Sequence, residues 1–246
     1  MSIQPFQTRR PSLGSRAFDV VVASIGLLFL SPLLLLVTLA ILIESGRPVF
    51  FAQTRLGQDG RHFRLFKFRK FKKCAVEAGR PLTVRGDDRM SPVGRILEAK
   101  KLDELPQLYN ILKGEMSIVG PRPESLAFED CFDDAHRAVL GYRPGIFGPS
   151  QVAFRDEGAL YPPGAEPARL YRQVLFPTKA RLDLAYYPNR TLLSDIGWIL
   201  CGVLAVVGLY KTQVGPSMLA AGQSSAMGAA GSRNELGGAP SFTVQI

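Results

Sequence analysis

Residues 20–43 read VVVASIGLLFLSPLLLLVTLAILI and contain no charged side chain, while Asp19 and Glu44 bound the run. As a helix the run is about 36 Å long at ~1.5 Å per residue, and a helix needs roughly 20 residues to span a bilayer. A cleaved signal peptide is a poor match, because the run is too long and its C-terminal flank is an unsuitable cleavage site. This stretch therefore predicts a membrane helix around which the rest of the chain is arranged.

The middle of this run holds Ser31-Pro32, which predicts a break in the helix. Proline lacks a backbone donor and clashes with the preceding turn, and a serine hydroxyl can satisfy a carbonyl that is freed within hydrocarbon. The basic flanks are balanced, although the positive-inside rule calls for an excess on one side of a span. They are Arg9, Arg10 and Arg16 before the run and Arg47, Arg55 and Arg61 after it. Residues alone leave two topologies open: a kinked span, or a re-entrant helix that leaves the membrane on the face it entered.

The composition narrows the class of partner. Of the 246 residues, 30 are Lys or Arg and 21 are Asp or Glu, which gives a formal net charge of +9. Such an excess indicates an anionic partner: nucleic acid, lipid headgroups or a phosphorylated substrate. No nucleic-acid-binding motif is recognisable, so we expect no nucleic acid among the partners. The three cysteines, Cys74, Cys131 and Cys201, are far apart and support neither a disulfide framework nor a zinc site.

The segments after the membrane run predict a small domain of strands and helices. Short strands over 49–51 and 63–69 flank a turn rich in glycine. The predicted helices begin near Ser91-Pro92, run from Pro106 to Lys113-Gly114, and cover 125–140, 171–187 and part of the charge-free run 196–210. We therefore expect an α/β, mostly helical fold. Residues 1–15 are predicted to be flexible, and 213–246 are predicted to be a disordered tail rich in Gly, Ala and Ser.

Two adjacent carboxylates, Asp103 and Glu104, precede Pro106 and lie between basic segments. One interpretation is a favourable cap at the start of the following helix. The other is a phosphate site, because carboxylates form acyl-phosphate intermediates and Mg²⁺ binds through one or two carboxylates plus substrate phosphates. The candidate phosphate-binding cations are Lys67, Arg69, Arg122 and Arg143. The combination with a membrane segment favours phosphoryl transfer at a membrane face.

Several segments, in the same order, resemble the bacterial sugar transferases known as monotopic polyprenyl-phosphate phosphoglycosyl transferases. The resemblance covers about residues 16–200 and is specific because the segments occur as an ordered series. They are RAFD at 16–19, SP at 31–32, VFFAQ at 49–53, RLG at 55–57, FKFR at 66–69, VGR at 93–95, LDELPQL at 102–108, MSIVGPRPE at 116–124 and RPG at 143–145.

The resemblance implies a re-entrant helix over 16–45, broken at Ser31-Pro32, and a catalytic domain over 46–212 that lies on the cytoplasmic face of the bacterial inner membrane. It implies transfer of a sugar 1-phosphate from a nucleotide diphosphate sugar to polyprenyl (undecaprenyl) phosphate, which starts surface polysaccharide or glycoconjugate synthesis. Asp103 would be the nucleophile and a ligand of Mg²⁺, and Glu104 its partner carboxylate. Membrane lipids would be further partners, and a homodimer is left open.

The sequence departs from the family pattern close to the dyad, the pair of adjacent carboxylates Asp103 and Glu104. Glu98 and Ala99 stand where the family usually has basic residues, and Lys101 stands where it has a small hydroxyl residue. An acidic residue near a phosphate site supports one alternative: an inactive membrane-attached relative that acts as a scaffold in polysaccharide assembly. The sequence does not indicate which sugar is transferred.

Overall fold

The computed structural model describes residues 12–72, 82–162 and 166–210. The predicted tail lies outside the described residues, as do residues 1–11 of the predicted flexible N-terminus. Residues 13–15 of that N-terminus are described and are helical. The described strands are β1 (Phe50–Leu56), β2 (His62–Phe68), β3 (Ser117–Val119), β4 (Glu124–Ser125) and β5 (Gly145–Phe147). The described helices are α1 (Leu13–Ser45), α2 (Pro92–Ala99), α3 (Gln107–Lys113), α4 (Pro149–Ala153), α5 (Pro167–Leu170), α6 (Phe176–Tyr186) and α7 (Leu192–Val207). The mostly helical α/β class is confirmed.

Helix α1 continues through Pro32, so the predicted break is not an end of the helix. A proline at this position removes the N–H that would bond to the carbonyl of Leu28, four residues earlier. The hydroxyl of Ser31 donates to that same carbonyl at 2.7 Å and replaces the lost bond. Among the described helices, α1 alone is long and apolar enough to cross a membrane.

The N-terminal end of α1 is fixed to the domain by two charged side chains. The guanidinium group of Arg16 donates to the carbonyls of Ile111 at 2.6 Å and Leu112 at 2.8 Å, near the end of α3. Asp19 is buried, and its Oδ1 accepts hydrogen bonds from Ser117 Oγ and the Ile118 N–H, both at 2.9 Å. Because lost partners would leave buried polar groups unpaired, these contacts hold this end of α1 firmly.

The C-terminal end of α1 is fixed to the same domain. Glu44 accepts a hydrogen bond from the Val93 N–H at 2.7 Å, and Arg69 donates to Ser45 Oγ and to the Gly46 carbonyl at 2.7 Å each. Between the two ends, one side of α1 packs on the domain and the other remains exposed. The exposed large side chains of this stretch are Val20, Val21, Ile25, Leu28, Phe29, Leu35, Leu36, Leu39 and Ile43.

The predicted hairpin is confirmed. β1 and β2 are antiparallel, with Phe50 opposite Phe68, and β4 pairs with the other edge of β1. β3 and β5 form a separate parallel pair, in which Ser117 lies opposite Gly145. α3 packs against β2 of one sheet and β3 of the other.

The helix predicted over 125–140 is wrong. The structure has short 3-10 segments, Leu126–Cys131 and Arg137–Gly141, instead. Asp133 Oδ1 accepts hydrogen bonds from the backbone N–H groups two and three residues later, and this local bonding competes with a helix. The helix predicted over 171–187 is present, although its first part, Tyr171–Leu175, is π-helical. The helix predicted within 196–210 is also present, as α7.

A fully buried amide joins β2 to α3. Asn110 Oδ1 accepts from the Phe66 N–H at 3.1 Å, and its Nδ2 donates to the Arg64 carbonyl and to Glu115 Oε2, both at 2.7 Å. The amide oxygen and both N–H groups of Asn110 therefore have hydrogen-bond partners within the protein. The contact fixes β2, which carries Lys67, against the helix that follows the dyad.

Asn110→Ala is expected to lower the free energy of unfolding by about 3 kcal/mol, because a buried N–H and a buried carbonyl lose their partners. Chemical denaturation in detergent measures the loss. Asn189→Ala, which removes an exposed amide, is the matched control and is expected to change little. Equal losses in the two variants would contradict the structural role of Asn110.

Candidate active site

The dyad Asp103-Glu104 lies in the 3-10 turn Leu102–Glu104, between α2 and α3. α2 approaches the chain that leaves β2 so closely that a Cβ on Gly94 would lie 1.9 Å from the carbonyl oxygen of Lys70. Only glycine permits this approach. The turn after α2 therefore places the two carboxylates beside the end of β2.

The carboxylates are not a helix cap. α3 begins at Gln107 with Pro106 before it, and no side chain makes a capping hydrogen bond to its N-terminus. The interpretation of the dyad as a favourable cap is therefore wrong, and another explanation is needed for two acidic side chains in a largely buried place.

The two carboxylates have different surroundings. Glu104 Oε1 accepts hydrogen bonds from Lys67 Nζ at 2.9 Å and from Arg122 Nη2 at 3.0 Å. Asp103 is 2% exposed, and its Oδ1 has no hydrogen-bond partner within the described ranges. One carboxylate is thus fixed by two cations, and its neighbour keeps an unpaired oxygen.

The electrostatics separate the two groups further. Burial raises the pKa of Asp103 and outweighs the opposing charge of Lys67. Burial also acts to raise the pKa of Glu104, but the charges of Lys67, Arg122 and Lys101 hold that pKa well below its usual range. Burial lowers the pKa of Lys67 to about 8. The pKa of Asp103 therefore lies above that of Glu104, which makes Asp103 the more basic carboxylate of the two.

Of the four predicted cations, the structure brings Lys67 and Arg122 to the dyad. Arg69 binds the end of α1 instead, through Ser45 and Gly46. Arg143 is within electrostatic range of Asp19 and Arg16, and within the described residues neither Arg69 nor Arg143 is recorded in contact with the dyad. Arg69 therefore serves the attachment of α1, and Arg143 lies near the charges of Arg16 and Asp19 rather than near the carboxylates.

Sequence reasoning missed a set of charged residues behind Arg122. Arg55 is partly buried and lies close to Glu124 and Arg122, and Tyr171 donates a hydrogen bond to Glu124. Lys179 forms an ion pair with Glu157, which also lies near Arg122. Glu124 stands in the segment that resembles the family, but no pattern of spacing pointed to Lys179 or Glu157.

Glu98, the acidic departure from the family pattern, is paired. Lys70 Nζ lies 2.9 Å from Glu98 Oε1, and Lys70 is also within electrostatic range of Asp103. The negative charge of Glu98 is therefore compensated locally and does not face the dyad alone.

Comparison with known proteins gives a consistent result. The family described as "Bacterial sugar transferase" matches residues 11–208. A UDP-glucose:undecaprenyl-phosphate glucose-1-phosphate transferase of Caulobacter vibrioides is 43% identical over 192 residues, which cover 76% of this chain and 67% of the relative. The exopolysaccharide production protein ExoY of Sinorhizobium fredii is 34% identical over 199 residues, 75% of this chain and 81% of the relative.

A longer relative is also similar. The UDP-N-acetylgalactosamine-undecaprenyl-phosphate N-acetylgalactosaminephosphotransferase of Aeromonas hydrophila is 36% identical over 186 residues, which cover 74% of this chain. The chain spans only 40% of the length of that relative. The matched residues include α1, both sheets and the dyad, and on this basis the chain belongs to the bacterial sugar transferase family.

Proposed function

We propose that this protein transfers a sugar 1-phosphate from a nucleotide diphosphate sugar to undecaprenyl phosphate. The observation that carries the proposal is the buried, unpaired Oδ1 of Asp103 beside a Glu104 that two cations hold in place. The names of the relatives support the same donor and acceptor classes. The product would start the synthesis of a surface polysaccharide or glycoconjugate.

The reaction would proceed in two balanced steps. An oxygen of Asp103 attacks the phosphorus that carries the sugar, and the bond from that phosphorus to the bridging oxygen breaks. The nucleoside monophosphate leaves with the electron pair of that bond, and a covalent aspartyl-phospho-sugar remains. A phosphate oxygen of undecaprenyl phosphate then attacks the same phosphorus, the bond to Asp103 breaks, and the carboxylate is restored.

The residues fit Mg²⁺ at the donor phosphates. Within the described residues, no group of three or more His, Cys, Asp or Glu side chains could hold a metal ion. Mg²⁺ does not require one, because it binds through one or two carboxylates plus substrate phosphates and water, and Asp103 offers an unpaired oxygen. When bound, the ion would neutralise charge on the diphosphate. Lys67 and Arg122 hold Glu104 away from this role.

The attachment of α1 supports a re-entrant topology. Arg16 and Asp19 bind the domain at one end of the apolar stretch, and Glu44 binds it at the other. A domain that holds both ends lies on one side of the membrane, so the exposed apolar face between them would enter and leave on that side. The family resemblance implies that this side is the cytoplasmic face. The homodimer stays a prediction.

Cysteine labelling tests this topology. In a chain whose native cysteines are replaced by serine, Leu13→Cys and His62→Cys are expected to react with an impermeant reagent from the cytoplasmic side alone. Phe29→Cys, in the exposed apolar face, is the control and is expected to resist the reagent from both sides. Labelling of Leu13→Cys and His62→Cys from opposite sides would show a true span.

Turnover tests the function. Purified protein is incubated with undecaprenyl phosphate, Mg²⁺ and a panel of nucleotide sugars, and release of nucleoside monophosphate is measured. At least one donor is expected to give release that depends on the acceptor. Absence of release from every donor would reject the enzyme and leave the scaffold alternative.

A further inference from the structure

Lys101, two residues before Asp103, has a left-handed backbone conformation, with φ 55° and ψ 21°. A side chain is crowded in this conformation, and the residue that ends a helix in this way is therefore usually glycine. The chain itself uses glycine at the ends of α3 and α7, where Gly114 and Gly208 have φ of 84° and 83°. The end of α2 thus carries a lysine where the backbone favours glycine.

A strained residue at a site is a reason to look for a function of its side chain. The ammonium group of Lys101 lies within electrostatic range of both Asp103 and Glu104. Across residues 12–72, 82–162 and 166–210, no hydrogen bond or ion pair is recorded for this ammonium group. The side chain is partly exposed and so can meet a ligand.

Three other cations whose charges act on Asp103 or Glu104 already have acidic partners. Lys67 and Arg122 share Glu104, and Lys70 is paired with Glu98. An anion that approaches Asp103 therefore meets Lys101, whose ammonium group forms no ion pair with any of the described side chains. Because Lys70 is paired with Glu98, Lys101 is the cation beside Asp103 that can bind an incoming anion.

We propose that Lys101 binds the diphosphate of the nucleotide sugar when the sugar-bearing phosphorus lies at Asp103. The inference rests on the proposed function and adds a substrate-binding residue to it. A lysine ammonium group suits this position, because it is a compact charge with three donors that can follow the diphosphate through the reaction. The strained backbone at the end of α2 lowers stability, and the charge of Lys101 at the site is the functional gain that offsets this loss.

The test compares Lys101→Gly, Lys101→Arg and Lys100→Ala. The last is the matched control, since Lys100 is an exposed neighbour with an ordinary backbone conformation (φ −99°). Three quantities are measured: the melting temperature, the Kd for UDP by calorimetry, and kcat and KM for the donor. UDP is the probe because it carries the diphosphate of the UDP-sugars that the relatives' names contain.

Lys101→Gly is expected to raise the melting temperature by about 2 °C, because the strain is relieved. It is also expected to weaken UDP binding and raise the donor KM by about 10-fold or more, while kcat changes less. Lys101→Arg is expected to retain most of the affinity, and Lys100→Ala all of it.

The inference on Lys101 and the proposed function can fail separately. If the wild-type protein turns over a donor and Lys101→Gly keeps its KM and its affinity for UDP, the inference is wrong and the function stands. An equal loss in Lys100→Ala would also overturn the inference, because it would show a general effect of charge. If no donor is turned over but UDP binding still depends on Lys101, the anion site stands and the proposed function is wrong.

Discussion

Asp103→Asn is expected to lower kcat by at least about 10³-fold, because an amide oxygen is a far poorer nucleophile than a carboxylate. The same substitution is expected to prevent attachment of donor-derived label to the protein. Labelled donor is incubated with the protein and Mg²⁺ in the absence of undecaprenyl phosphate, and the protein is analysed by mass spectrometry. The fold is expected to be retained, since the substitution removes a charge whose burial is unfavourable.

The matched control is Asp134→Asn, which makes the same chemical change at an exposed position. It is expected to have wild-type turnover and labelling. Label that still attaches to Asp103→Asn would show that a different side chain is the nucleophile, and the position of the label in a peptide digest would identify it.

Glu104→Gln is expected to lower kcat by about 10²-fold while covalent labelling is retained, because the residue organises cations rather than attacking phosphorus. The amide cannot compensate the charges of Lys67 and Arg122, which lie 2.9 Å and 3.0 Å from Glu104 Oε1. The burst of nucleoside monophosphate and the steady-state rate are measured together, so that formation of the intermediate is separated from its transfer.

The pH dependence gives a second signature of Glu104. Burial lowers the pKa of Lys67 to about 8, and the charge of Glu104 acts against that effect. In the wild-type protein Lys67 is protonated below that pH, so activity that needs its charge is expected to fall as the pH rises through about 8. In Glu104→Gln the pKa of Lys67 falls further, and activity is expected to decline at lower pH.

Glu129→Gln, at an exposed position, is the control for both measurements and is expected to behave as the wild type. Loss of labelling in Glu104→Gln would contradict the division of roles between the two carboxylates. An unchanged pH profile would show that Lys67 does not depend on the charge of Glu104.

The elements that could be predicted are those with local signals. The charge-free run forms α1, the strand predicted over 63–69 is β2, and α2 begins at Ser91-Pro92. A helix is predicted over 125–140, but the side chain of Asp133 accepts hydrogen bonds from the backbone N–H groups of Ala135 and His136. Composition alone does not decide between such local bonds and a helix, since both use the same residues.

The candidate site shows the same limit at longer range. The pattern around Asp103 identified the dyad, but it did not show which cations would reach it. Lys67 lies within β2, whereas the strand ends at Phe68, so Arg69 is no longer bound by strand alternation and its side chain turns to the end of α1. Such placements depend on how distant segments pack.

The two attachments of α1 make it a structural part of the domain and not a removable tether. Ala23 belongs to the same buried cluster as Leu108 and Ile111, and Ile41 packs with Leu97. A chain truncated before residue 46 would uncover both clusters and leave the end of α3 without Arg16. A soluble form of the protein is therefore better sought by changing the exposed apolar face of α1 than by deleting the helix.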